Sequence, residues 1–298
     1  MTPRLIAVMG PTASGKSSLA EKIADALDAI LLNADSFQVY RYLDIGTAKP
    51  TVKEQYRLLD LKDPNESFGV GEWVHLAQQE LELAWERRQS VVIVGGTGLN
   101  IRALMERYGE MSGPPSPELR DALNQKLERE GLHCLVEELG ELDPIAFARV
   151  DLKNPVRVIR ALERAKSPKI QMTVEIPPFN SSKIAISIQT ALLDERIDQR
   201  VGQMVQNGWA REIEQLRKMG FLPSDPGLRA IGYRAMWRAA EGEINSEEAI
   251  AMTVLETRRY AKRQRTWLRS EPNLRWLFDG PEFDLMAQVS NLLAIDLN

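Results

Sequence analysis

Residues 10–17 read Gly10, Pro11, Thr12, Ala13, Ser14, Gly15, Lys16 and Ser17, a match to G-x-x-x-x-G-K-[ST]. An apolar run at 5–9 (LIAVM) precedes the match, and Leu19, Ile23 and Leu27 follow it at a spacing of four. Strand, glycine-rich loop, helix is the context in which this pattern is a phosphate loop rather than an accidental turn. Its glycines let the backbone curl until successive N–H groups point inward at phosphate oxygens. The helix that follows adds its positive end. Lys16 supplies a full charge, and the Ser17 hydroxyl is placed to ligate Mg²⁺. A group with at least two linked phosphates is expected here, and the motif leaves open whether phosphate is transferred or discarded.

A strand feeding such a loop belongs to a parallel sheet, and the next hundred residues keep that rhythm. Residues 29–32 form a second short strand candidate. Residues 72–88 carry Val74, Leu81 and Trp85 among the apolar positions of a helix, and residues 91–94 (VVIV) form a third strand, stopped by Gly95 and Gly96. Active residues are then expected in loops at the carboxyl ends of the strands. Gly113, Pro114, Pro115, Ser116 and Pro117 break the pattern. Helical segments follow, with Leu119, Leu123 and Leu127 at spacing four, then 132–139, 144–150 and 156–166. Ile176, Pro177 and Pro178 end this region, and strands are expected at 184–188 and 273–278. The fold predicted is α/β: a P-loop NTPase-like parallel sheet core with C-terminal helices, from residues 1–113 and 181–298, and a helical insertion domain at 114–180. The 298 residues, 44% hydrophobic and 27% charged, suffice to bury such a core and rule out wholesale disorder.

Composition narrows the chemistry further. One cysteine, Cys134, excludes an internal disulfide and a thiolate-rich zinc site, and His75 and His133 lie far apart without a ligand pattern. The longest aliphatic runs are too short to span a bilayer, and the 5–9 run passes straight into glycine, so a cytoplasmic protein with no membrane contact is expected, a monomer by default. A net charge of −4 argues against a basic coat over the whole surface. Yet Arg258, Arg259, Lys262, Arg263, Arg265 and Arg269 crowd into 256–269 against one acid, Glu256. Such a patch can hold a polyanion, because local footprint matters more than the total. Lys153, Arg157, Arg160 and Arg164, spaced four, three and four, would put a second basic face on one helix. Tyr260 and Trp267 can stack on bases or anchor their helix; for Trp267 anchoring is the expectation.

Asp35 follows the second strand within 33–40 (NADSFQVY), placing a carboxylate near the phosphate loop as a general base, a metal-associated group or a plain loop aspartate. Thr97 ends the third strand at the same sheet edge, where its hydroxyl can cap a helix, face the site, or do both.

Taken in order, GPTASGKS at 10–17, DSFQVY at 35–40, DIGTAKP at 44–50, GGTGL at 95–99, RALE at 160–163, Arg196 and Ile197 with Arg200 and Val201, GYRAMW at 232–237, and TRRYAKRQRTWLR at 257–269 resemble the tRNA dimethylallyltransferase (tRNA isopentenyltransferase) family. The matches span nearly the whole chain. Asn100 departs from the tyrosine usual in that family, residues 151–155 (DLKNP) follow the usual stretch only in part, and Ala165, Lys166, Ser167 and Pro168 replace a Thr-Gly-rich turn. The resemblance implies transfer of a dimethylallyl group from dimethylallyl diphosphate to N6 of adenosine 37, beside the tRNA anticodon, with Mg²⁺ as cofactor. It implies Asp35 as base, with Lys16, Arg200 and Thr97 on the leaving diphosphate. Contacts to the anticodon stem-loop are implied for Asp35, Ser36, Phe37 and Gln38. In the insertion they fall on Arg120, Val156, Arg157, Val158, Ile159 and Arg160, and in the C-terminal half on Arg229, Ala230, Ile231, Gly232, Tyr233 and Arg234. Three other readings of the same residues stand beside this one: a P-loop kinase with ATP in the cradle, an isopentenyltransferase acting on free adenylate, and a non-enzymatic RNA-binding module. The kinase does not account for the C-terminal basic helix, the adenylate enzyme has little use for the insertion, and the module leaves Asp35 and Thr97 without purpose.

Overall fold

The computed structural model describes residues 2–106, 117–167 and 174–294. Two compact units divide the chain, Met1–Glu106 with Glu175–Asn298, and Arg107–Val174.

The first unit is built on β1 (Arg4–Met9), α1 (Lys16–Leu27), β2 (Ile30–Asn33), β3 (Tyr56–Arg57), α2 (Val70–Glu86), β4 (Val91–Val94) and α3 (Gly98–Met105). The second unit contains α4 (Pro117–Glu130), α5 (Leu132–Leu142), α6 (Pro144–Arg149) and α7 (Pro155–Lys166). The chain then returns to the first unit through β5 (Asn180–Ser187), α8 (Thr190–Gln206), α9 (Trp209–Lys218), α10 (Tyr233–Ala240), α11 (Ser246–Leu268), β6 (Leu274–Phe278) and α12 (Leu285–Leu293).

Six parallel strands form one sheet in the order β3-β2-β4-β1-β5-β6. The central strand β1 is buried on both faces, which is why it reads as an unbroken apolar run rather than an alternating one. Ile6, Val8, Leu19, Ile23, Val92, Val94, Ile184 and Ile186 make the core on one side of the sheet. Because every strand runs the same way, Gly10 after β1, Asp35 after β2 and Gly95 after β4 leave the sheet at one edge; register confirms it, with Val94 beside both Val8 and Asn33. A second cluster joins Val39, Tyr40 and Leu43 to Trp209, Ile213, Leu228, Tyr233 and Trp237. It lays the chain that follows Asp35 against α9 and α10.

In the second unit, Leu123, Leu135, Leu139, Val158, Ile159, Ala161 and Leu162 form a separate core. The helices predicted at 119–127, 132–139, 144–150 and 156–166 are all present. Two expectations need correction. Residues 175–180 belong to the sheet unit, not the insertion, because the Asn180 N–H donates to the Pro3 carbonyl (3.0 Å) and begins β5 beside β1. Lys153 is not on the basic helix: Asn154 caps α7, its side chain accepting the Arg157 N–H, and Pro155 is the first helical residue. The break at 113–116 lies outside the described residues. Two-residue β3 and the helices α3 and α12 carried no signal that was read in the sequence. No helix among the described residues is long and apolar enough to cross a membrane.

Candidate active site

The phosphate loop forms as its residue types demand. Gly15 sits at φ 82° immediately before α1, a left-handed conformation that side chains resist, and so lets the loop turn into the helix. Ser14 is 1% exposed and its hydroxyl has no protein partner. A buried orphan hydroxyl in a phosphate loop is the mark of a cradle shaped for a ligand atom. The Lys16 ammonium donates to the Pro11 carbonyl at 3.3 Å across the loop. Burial and the Arg200 guanidinium hold Lys16 down to about 8, while the Asp35 carboxylate opposes that shift. Burial likewise lowers Arg200, again against the pull of Asp35. Two cations therefore crowd one desolvated spot, with a single carboxylate near both. An incoming diphosphate would relieve that strain.

Asp35 is held by its own turn. The Asn33 side chain accepts the Asp35 N–H (3.0 Å) and donates to the Asp35 and Leu58 carbonyls (3.2 and 3.0 Å). One carboxylate oxygen, Oδ1, accepts the Phe37 N–H at 2.9 Å. The other faces Gly96, where a side-chain carbon would stand 3.5 Å from Oδ2 and 2.6 Å from the Gln264 amide nitrogen. One oxygen thus fixes the carboxylate and the other is left for chemistry.

Thr97 stands at the N-cap position of α3 yet makes no side-chain cap bond. Its hydroxyl oxygen instead accepts the Ser36 N–H (3.2 Å) and the Ser36 hydroxyl (3.0 Å), tying the loops after β2 and β4 together. Asn100 is buried one turn later, its N–H donating to the Thr97 carbonyl at 3.1 Å.

The basic helix α11 closes the arrangement. Tyr260, half-buried, points its hydroxyl at the Gly96 carbonyl (3.4 Å), and burial together with the Asp35 charge raises its pKa, so its hydroxyl lines the site. Gln264, which no sequence signal singled out, is buried and bonded to both the phosphate loop and the β4 loop. Trp267 is an anchor as expected: its ring lies against Gly98 and under the Arg102 guanidinium, 4.2 Å from the centroid. Arg258 turns away to Asp198 (2.7 Å), which reduces the free charge of the patch. Arg259, Lys262, Arg263 and Arg269 remain exposed.

Two of the implied RNA-contact segments of this unit lie together. Phe37 and Tyr40 share a cluster with Ala230 and Tyr233, and Arg229 acts electrostatically on the Tyr40 hydroxyl. Of residues 229–234, Arg229 and Arg234 are exposed and Ile231 half-buried, whereas Ala230, Gly232 and Tyr233 are buried. Those three build the support, and their side chains offer RNA no surface. Glu212, also unforeseen, organises the segment. Its carboxylate accepts the N–H groups of Asp44, Ile45 and Gly46 (2.8, 2.6 and 3.3 Å) and the Tyr233 hydroxyl (2.6 Å). Gln38 donates inward to the Thr47 and Ala48 carbonyls, both at 3.1 Å.

In the helical unit the same sorting applies. Val156, Arg157, Arg160 and Arg164 are exposed on α7, while the Val158 and Ile159 side chains fill the core of this unit. Arg120 is engaged by Glu163 through two bonds of 2.5 and 3.1 Å. Its guanidinium serves the fold of this unit.

A parallel sheet with a phosphate loop, a carboxylate and a threonine at one edge defines a P-loop-like group-transfer fold. Comparison with known proteins identifies which kind. The sequence profile of the IPP transferase family matches residues 38–271, and the chain belongs to that family. It is similar to tRNA dimethylallyltransferase 1 of Trichlorobacter lovleyi, with 37% identity over 93% of this chain and 94% of that protein. It is 38% identical to the tRNA dimethylallyltransferase of a Picosynechococcus species over 98% and 99% of the two chains. Among solved structures, the full-length tRNA isopentenylpyrophosphate transferase of Bacillus halodurans superposes with a TM-score of 0.71 at 34% identity, covering 98% of this chain and 94% of that one.

Proposed function

We propose that this chain is an enzyme that transfers a dimethylallyl group from dimethylallyl diphosphate to N6 of adenosine 37, next to the anticodon of tRNA, and releases diphosphate. The observation that carries the reading is Asp35. One of its carboxylate oxygens is pinned by a backbone N–H and the other is left unspent, next to two desolvated cations and an anion cradle.

An adenine amine is a poor nucleophile, because its lone pair is delocalised into the ring. As the N6–C1 bond forms, the C1–O bond of the donor breaks and the diphosphate leaves with the electron pair. The N6 proton passes to Asp35. Negative charge grows on the leaving oxygens, and Lys16, Arg200 and the N–H groups of Gly15, Lys16 and Ser17 at the start of α1 meet it. Removing one such donor typically slows a reaction about 10²–10³-fold. The Thr97 hydroxyl already accepts from Ser36, so its own proton is left to donate. Among the described residues, no three acidic, histidine or cysteine side chains gather as a metal cage. The donor set suits Mg²⁺ held by Ser17 and the diphosphate, since Mg²⁺ keeps most of its waters and binds through few protein ligands. There it would neutralise phosphate charge.

Arg157, Arg160 and Arg164 on α7, and Arg229 and Arg234 beside the 35–38 turn, are suited to clamp phosphates of a single-stranded loop. The target base must leave its stack to reach Asp35, at roughly a few kcal/mol. The test is incubation of the protein with labelled dimethylallyl diphosphate and unmodified tRNA, AMP, or ATP plus nucleosides. Label should enter tRNA alone; label in AMP, or phosphate transfer from ATP, would replace this reading with another.

A further inference from the structure

Gln264 is polar and buried in the middle of a basic helix, 7% exposed. Its two amide atoms are both used, and each reaches a different loop of the site. The carbonyl oxygen Oε1 accepts the Thr12 N–H of the phosphate loop at 2.8 Å. The amide nitrogen Nε2 donates to the Gly96 carbonyl at 2.9 Å. A side chain at residue 96 would collide with that nitrogen and approach both Tyr260 Oη (3.4 Å) and Asp35 Oδ2 (3.5 Å). The point where Gln264 grips the β4 loop is therefore also the point against which the Asp35 carboxylate rests.

We infer that Gln264 is a positioning residue: its amide sets the distance between the phosphate loop, which holds the leaving group, and the Asp35–Thr97 side, which receives the nucleophile. Neither loop is bonded to the other along this line except through that amide, the Thr12 N–H and the Gly96 carbonyl being its two ends. A group transfer between bound partners depends on such a span, and a misplacement of about 1 Å can cost about 100-fold in rate. The inference rests on the reaction proposed above, and its test includes an arm that does not use the reaction.

Gln264→Met keeps the volume and removes both bonds. It should lower the single-turnover rate about 10- to 100-fold at saturating donor and tRNA, with tRNA affinity unchanged and only a modest fall in melting temperature from the unpaired Thr12 N–H and Gly96 carbonyl. Gln264→Glu keeps an acceptor for Thr12 but turns a carboxylate toward the Gly96 carbonyl. Below about pH 7 its rate should rise as pH falls, because the protonated acid restores the donor, a trend the unaltered protein should lack in that range, where Lys16 is already charged. Amide hydrogen exchange supplies the independent arm: the Thr12 N–H should be protected in the unaltered protein and exchange faster in Gln264→Met. A Gln264→Met rate within about twofold of the parent would overturn the proposal. So would a loss of rate matched by loss of melting temperature and tRNA binding, a flat pH response in Gln264→Glu, or an unprotected Thr12 amide. Failure of the unaltered protein to modify tRNA at all would instead remove the proposed function and leave the exchange result standing.

Discussion

The sheet edge and the α7 face treat charge in opposite ways. At the sheet edge, Lys16, Arg200 and Asp35 are partly buried close together, with Lys16 bonded to the Pro11 carbonyl and Asp35 to the Phe37 N–H. On α7, Arg157, Arg160 and Arg164 stand exposed over an apolar core, Arg157 loosely paired with Asp151 at 3.7 Å and Arg160 sharing the Glu163 carboxylate at 3.2 Å. Buried polar groups are few, geometrically fixed and costly to disturb. Solvated ones act by number and are screened by salt. The first arrangement suits bond making and the second suits gripping a polyanion.

The largest effect should come from Asp35→Ala, which removes the base and the Oδ1 anchor of its turn. The single-turnover rate should fall about 10²–10⁴-fold with tRNA affinity near that of the parent, measured by rapid quench and filter binding. A comparable loss of affinity would place Asp35 in recognition instead. Next is Lys16. Its ammonium is fully charged well below its depressed pKa of about 8 and loses charge above it. Efficiency toward the donor should therefore decline as pH rises past about 8, and in Lys16→Arg that decline should move to higher pH, checked by donor kcat/KM across the range. A smaller effect is expected from Arg157→Ala combined with Arg160→Ala. Each lost phosphate contact should reduce the slope of log affinity against log salt by about 0.7–0.9, with turnover at saturating tRNA retained. The smallest effect on binding belongs to Arg120→Ala. Because Arg120 is spent on Glu163, its removal should lower the melting temperature of the insertion, by roughly 1 kcal/mol of stability, and leave the salt slope unaltered. A changed slope would return Arg120 to the RNA face.

What the sequence made legible follows the same divide. The phosphate loop, the four insertion helices and the exposed arginines of α7 were readable because each is set by neighbours within a few residues: a glycine spacing, a leucine period, a charge period. The buried connectors were not. Gln264 meets partners 168 and 252 residues away, and Glu212 meets the 44–46 backbone 166–168 residues away. Nothing in the local pattern distinguishes them from surface glutamine and glutamate. Within the matched segments Val158, Ile159, Ala230 and Tyr233 are buried, because these segments hold the support of a surface along with the surface itself. Thr97 shows a third limit: a threonine before a helix announces a cap, but here the neighbouring Ser36 claims the hydroxyl.

The central claim, that the phosphate loop grips the part of the donor that departs while Asp35 faces the carbon that is attacked, is met most directly by a crystal of the protein soaked with dimethylallyl thiodiphosphate, whose sulfur bridge resists cleavage. The account predicts the diphosphate within residues 10–17 and its isoprenyl C1 directed toward Asp35 Oδ2. An isoprenyl chain running the other way, with Asp35 screened from C1 by protein, would contradict it.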